Sequence, residues 1–160
     1  DEPFEIRPGI FIPAGGYTNR RRGVEIGTSP AGVLSAAAGV EWGSFYGGQG
    51  ETWALEASYR PNPHLLVEAT GEHNDVRLPA GSFTASLAGL RTTWNFSRAL
   101  LLTAYGQVNS DSDVTSVNAR FRWMWRPGSD VYVVFNRATG KGLEKRTWQL
   151  MLKATWAILP

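Results

Sequence analysis

The chain contains no cysteine, which excludes a disulfide scaffold and a thiolate metal site. Its two histidines, His64 and His73, are too few for a histidine-based metal centre, and no metal or cofactor is expected. No run approaches the roughly 20 consecutive apolar residues of a membrane helix. No charged-then-apolar leader follows Asp1, so the chain is expected to be processed already or to be a piece of something longer. An excess of one charge is also missing, since 16 Lys and Arg stand against 14 Asp and Glu. The one dense basic run, Arg20-Arg21-Arg22, is not the broad cationic face of a nucleic-acid binder. What is abundant excludes disorder: 7 Trp, 5 Tyr and 7 Phe in 160 residues carry too much apolar surface for an unfolded chain. The length fits one domain, 1–160.

The dominant pattern is period-2 alternation, the mark of a strand with two different faces. From Thr147 to Ile158 every even position is apolar and most odd positions are polar. Val117, Ala119, Phe121, Trp123 and Trp125 alternate with Asn118, Arg120, Arg122, Met124 and Arg126 in the same way. So do Trp53, Leu55, Ala57 and Tyr59 against Thr52, Glu56, Ser58 and Arg60. No apolar stripe at helical spacing is sustained anywhere, so no helix is predicted.

Turn residues divide the chain into ten candidate strands, at 4–12, 20–27, 32–43, 51–60, 64–73, 82–96, 98–109, 114–126, 130–137 and 144–158. Pro8 weakens the first, because proline cannot donate to a ladder. Tight connections at 28–31, 61–63, 97 and 127–129 alternate with longer ones at 13–19, 43–50, 74–81, 110–113 and 138–143. This is the plan of an all-β, up-and-down antiparallel transmembrane β-barrel of about 10 strands, or of 8 strands plus an N-terminal extension. Ten strands would put both termini at the short-turn end.

Alternation alone does not say which face meets water. Trp42, Trp53 and Trp148 fall near the long-loop end of the apolar face, and Tyr59, Trp94, Trp123, Trp125 and Trp156 near its short-turn end. Aliphatic and small residues such as Leu55, Ala57, Leu90, Leu102, Leu150 and Leu152 lie between. Two aromatic belts around an aliphatic band match the two water–lipid interfaces. Trp148 and Trp156 are eight residues apart, or near 20 Å after a tilt of about 40°. The competing reading is a soluble, lipocalin-like barrel with all its rings in one core and an apolar ligand. So many wide side chains at strand ends would crowd a small barrel and leave its middle underfilled.

Several segments follow one familiar order: Trp42-Gly43-Ser44-Phe45-Tyr46-Gly47-Gly48, Arg60-Pro61-Asn62-Pro63-His64-Leu65, Leu78-Pro79-Ala80-Gly81-Ser82-Phe83, Gln107-Val108-Asn109-Ser110 and the run from Asn118 to Asp130. They resemble the C-terminal part of a family of uncharacterised outer-membrane barrel proteins in which a carbohydrate-binding module similar to family 9 precedes a large barrel. The resemblance implies a barrel segment in the outer membrane of a Gram-negative bacterium. The module and the earlier strands are missing from this chain, so sugar binding is not carried over.

The polar face supplies a candidate lumenal charge network: Glu41, Glu56, Glu68, Glu72, Arg91, Arg120, Arg122 and Lys153. If Arg60 pairs with His64, Glu56 stands opposite Glu68, and two such carboxylates repel unless a cation joins them or one takes up a proton. Near balance of acids and bases favours a charge-paired filling over a strongly selective pore. The function expected is structural or pore-like, without catalysis. A lipid hydrolase would need Ser82, His73 and Glu72 as nucleophile, base and orienter, but adjacent Glu72 and His73 point to opposite faces of a strand. The partners implied are membrane lipids, with Arg20, Arg21 and Arg22 either facing lipopolysaccharide phosphates or forming a solvated loop end. Barrel-assembly machinery would read the last strand, which ends in Ala157-Ile158-Leu159-Pro160 instead of a terminal aromatic.

Overall fold

The computed structural model describes residues 2–141 and 147–157; 77% of them are in strands and none is in a helix. Two short strands, β1 (Phe4–Arg7) and β2 (Ile10–Ile12), make an N-terminal hairpin. Nine more form one sheet: β3 (Arg21–Gly27), β4 (Leu34–Phe45), β5 (Gly48–Asn62), β6 (Leu65–Leu78), β7 (Gly81–Ser97), β8 (Leu100–Asn109), β9 (Val114–Arg126), β10 (Ser129–Gly140) and β11 (Thr147–Thr155). Each pairs antiparallel with its neighbours in sequence. The all-β, up-and-down plan is therefore what this sequence folds into. Residues 144–146 and 158 of the last expected strand lie outside the described residues, as do 142 and 143 of the connection before it.

Three expectations need correction. The segment 4–12 is not one strand: Pro8 has no N–H to give, and Gly9 takes φ of 80°, so the chain reverses there and Glu5 Oε1 accepts from the Gly9 N–H at 2.7 Å. This hairpin sits beside the turns after β4 and β6, so the N-terminal segment lies at the opposite end of the sheet from Ala157, which donates to Ser129 next to the Pro127-Gly128 turn. The first and last described segments do not share an end. Two of the five connections expected to be long, those at 43–50 and 74–81, are in fact tight. Tyr46 and Gly47 both have positive φ, the geometry of a two-residue hairpin with matching twist, and Pro79-Ala80 alone joins β6 to β7. The strands simply run further than the turn-residue clusters suggested. We call the end carrying Tyr46-Gly47, Pro79-Ala80 and Asp111 the upper end, and the end carrying Pro63-His64, Arg98-Ala99 and Pro127-Gly128 the lower end.

The sheet is open. Strands β3 and β11 are its edges, and no ladder joins them among the described residues. Eight successive antiparallel pairings separate them, so they run in the same direction.

Candidate functional site

The register sorts every strand into the same two faces. Directly opposed pairs on one face include Val24–Val40, Val40–Trp53, Ala57–Ala69, Ala69–Leu90, Trp94–Leu102, Leu102–Phe121, Phe121–Val133 and Val133–Leu152. Trp42, Trp53, Tyr59, Trp94, Trp123 and Trp148 share it, and Trp125 and Trp156 cluster with Trp123 at its lower rim. All seven tryptophans thus lie on one side. Stacked Trp94 and Phe96, 4.5 Å between centroids, continue that rim. Charged side chains on this face lie at its margins: Arg22, Glu51, Asp75, Arg77 and Arg137 at the upper one, and Arg126 over the Trp156 ring, 4.3 Å from its centroid, at the lower one. Between these margins a band free of Asp, Glu, Lys and Arg crosses all nine strands among the described residues.

Among the described residues nothing covers this band. Trp53, Leu90, Leu152 and Ile26 are 54%, 54%, 71% and 70% exposed, and among the described residues the buried apolar core amounts to Ile12, Val76 and Leu78. The accessible surface is 11582 Å², whereas a compact folded monomer of 17.6 kDa exposes roughly 7900 Å². An excess of that size is what an open sheet with both faces uncovered exposes.

The opposite face is polar, and Glu41, Glu56, Glu68, Glu72, Arg91, Arg120, Arg122 and Lys153 all lie on it. Its contacts are local clusters, not one network. Arg21 pairs with Glu41 and donates to Thr52 Oγ1 at 3.1 Å; Thr52 donates to Asn74 Oδ1 at 2.7 Å, and Asn74 to Glu72 Oε1 at 2.6 Å. This ladder crosses β3 to β6. At the lower end Asp130, 8% exposed, accepts from Arg122 Nε and Nη2 at 3.2 and 2.9 Å and from the Tyr132 hydroxyl at 3.2 Å. Arg91 lies over the Tyr105 ring, 5.2 Å from its centroid, and stands across from Glu68 in the register. Arg120 faces Thr103 and Val134, and Lys153 faces Tyr132.

The expected Glu56–Glu68 juxtaposition does not occur. Glu56 faces Thr70, and Glu68 faces Ser58 on one side and Arg91 on the other. The Asn62 carboxamide accepts from the N–H groups of His64 and Leu65, at 2.8 and 3.1 Å, which moves the turn to Pro63-His64. A bulge between Tyr59 and Asn62 completes the shift. His64 is bound as well: its Nδ1 lies 2.9 Å from the Asn95 carbonyl oxygen. The arginine run is also split, with Arg21 on the polar face and Arg22 on the other.

The hydrolase ingredients do not assemble. His73 Nδ1 contacts Ser86 Oγ at 2.7 Å, Ser82 stands across from Arg77, and Glu72 binds Asn74 on the far side of the sheet.

Near the upper end the two faces exchange character. Along β6, Glu68, Thr70, Glu72 and Asn74 on the polar face give way to Val76 and Leu78, while Val67, Ala69 and Gly71 on the apolar face give way to His73, Asp75 and Arg77. On β7, Phe83 shares the face of Val76, and Ser82, Thr84 and Ser86 share that of Arg77, Asp75 and His73. The socket so formed by Phe45, Val76, Leu78 and Phe83 receives Ile6, Ile10 and Ile12 of the hairpin, with Ile12 only 1% exposed. Sequence reasoning overlooked this socket; the reversal of the apolar parity within single strands is the signal that marks it.

No family model matches the chain, and no curated protein matches it.

Proposed function

We propose that this chain is wall of an outer-membrane β-barrel, with its ring-bearing face against lipid and its polar face toward the enclosed axis, in a structural or pore-like role without catalysis. The observation that carries this reading is the charge-free apolar band crossing nine strands, bounded above by charged residues and below by aromatic rings. Lipid requires that pattern: ionised groups near the middle of the band would be costly, and indole rings favour its margins. The resemblance of the run from Asn118 to Asp130 to outer-membrane barrels points the same way.

The inversion at the upper end argues against the soluble alternative. Turning the apolar face inward would place Glu51, Asp75 and Arg77 in the mouth of the core and leave Val76, Leu78, Phe83 and the hairpin outside. With the apolar face outward, the same residues fit a strand that projects beyond the bilayer, wet outside and packed inside. The paired charges of the inner face suit a weakly selective interior.

The test is depth-resolved quenching of tryptophan fluorescence in vesicles of bromine-labelled phosphatidylcholine. Lipid contact predicts strong quenching, insolubility without detergent and heat-modifiable migration on gels. A monomer that stays in solution without detergent and is not quenched would end the membrane reading.

A further inference from the structure

We propose that the β1–β2 hairpin is a latched plug that closes the upper mouth of the polar face. The proposal rests on the reading that this face looks toward an enclosed axis. Its basis is the position of the hairpin. Phe4 meets Tyr46 in the β4–β5 turn, edge to face at 5.5 Å, while Arg7 pairs with Asp111 in the β8–β9 turn and covers the Phe83 ring at 4.6 Å. Strands β5, β6, β7 and β8 lie between those turns, so the hairpin spans the upper end as a bridge.

Two kinds of contact hold it, and they differ in strength. Ile12 is an apolar anchor, completely enclosed in the socket. The Arg7–Asp111 pair is a latch whose side chains are 23% and 40% exposed, and exposed pairs are weak and screened by salt. The plug therefore stays with the protein while its far side can lift. A cavity of about 200 Å³ under it is lined by Arg7 above and by Arg21, Thr52 and Asn74 below, which puts the latch directly over the polar ladder. What the plug controls is access of water-borne solutes to that ladder.

The absence of cysteine permits a clean test with single cysteines and a water-soluble, membrane-impermeant maleimide, on full-length protein in phosphatidylcholine vesicles. Val76→Cys reports the socket, Thr70→Cys the polar face beneath it, and Leu90→Cys the ring-bearing face. With the latch intact, Val76→Cys and Thr70→Cys should react slowly. Arg7→Glu should speed both about tenfold, by loss of the pair and of the ring contact and by repulsion from Asp111. The charge swap Arg7→Glu with Asp111→Arg should restore protection, which a merely misfolded variant would not do. Ile12→Asp should expose both sites without rescue. Equal labelling of Val76→Cys with and without the latch overturns docking, and a swap that fails to protect overturns the Arg7–Asp111 assignment. A Thr70→Cys rate indifferent to the latch overturns closure. Rapid labelling of Leu90→Cys removes the membrane reading itself, and closure with it, whatever the hairpin does.

Discussion

At the scale of single residues, enclosure decides which charges matter. Asp130 is the buried carboxylate among the described residues, and it accepts from both Arg122 and Tyr132. Asp130→Ala leaves those donors without an acceptor, and because the Arg122 side chain is 40% exposed the expected loss is about 1–2 kcal/mol. Asp75→Ala, whose partner Arg77 is 74% exposed, should cost clearly less, because water and salt screen the pair. Urea unfolding from vesicles, followed by tryptophan emission, compares the two; equal losses would refute the ranking. Position on the sheet matters as much. Leu90→Arg puts a charge within the apolar band and should cost about 2–4 kcal/mol if lipid covers it. Ser58→Arg, facing Glu68 on the polar side, should fold normally into the same vesicles. If both arginines are tolerated alike, lipid does not cover the Leu90 face.

At the scale of elements, glycines fix how the strands project at the upper end. A Cβ on Gly48 would fall 2.1 Å from the Arg77 carbonyl oxygen and 2.8 Å from Leu78 Cα, so backbone, not a flexible side chain, stands in the way. Gly48→Ala should cost about 2–3 kcal/mol and loosen the β5–β6 ladder next to the hairpin socket, seen as faster amide exchange at Val76 and Leu78. Unchanged exchange would mean that the two strands do not approach so closely. The strands themselves were readable in the sequence because period-2 alternation needs no knowledge of neighbours. Register was not, because it depends on where the Asn62 side chain sets the turn. The resulting displacement is two residues, which keeps each side chain on its face; that is why the sorting of Glu68 and Tyr59 was legible although their partners were not. Turn lengths failed for a related reason. Gly43 to Gly50 reads as a longer, glycine-rich connection, but the glycines there admit close backbone approach, as at Gly43, where a Cβ would sit 2.0 Å from the Arg20 carbonyl oxygen.

At the scale of the whole molecule, direction governs closure. Strands β3 and β11 point the same way, so a ladder between them would be parallel, whether within one copy or between copies inserted in the same sense. Closing the wall with antiparallel ladders alone requires an odd number of further strands between those edges. Cysteines at Val24 and Leu152, on the ring-bearing face of the two edges, test this directly. Val133→Cys with Leu152→Cys is the positive control, since these residues face each other across the β10–β11 ladder, at a Cβ separation of about 4.5–5.5 Å. Mild oxidation in detergent should join the control pair and leave Val24→Cys and Leu152→Cys free, both within and between chains. A Val24–Leu152 disulfide in a single chain would mean that the nine strands close with one parallel seam. The same disulfide between two chains would mean that copies of this wall build the barrel together. Without either, the exposed edges of β3 and β11 remain the places where the wall is completed.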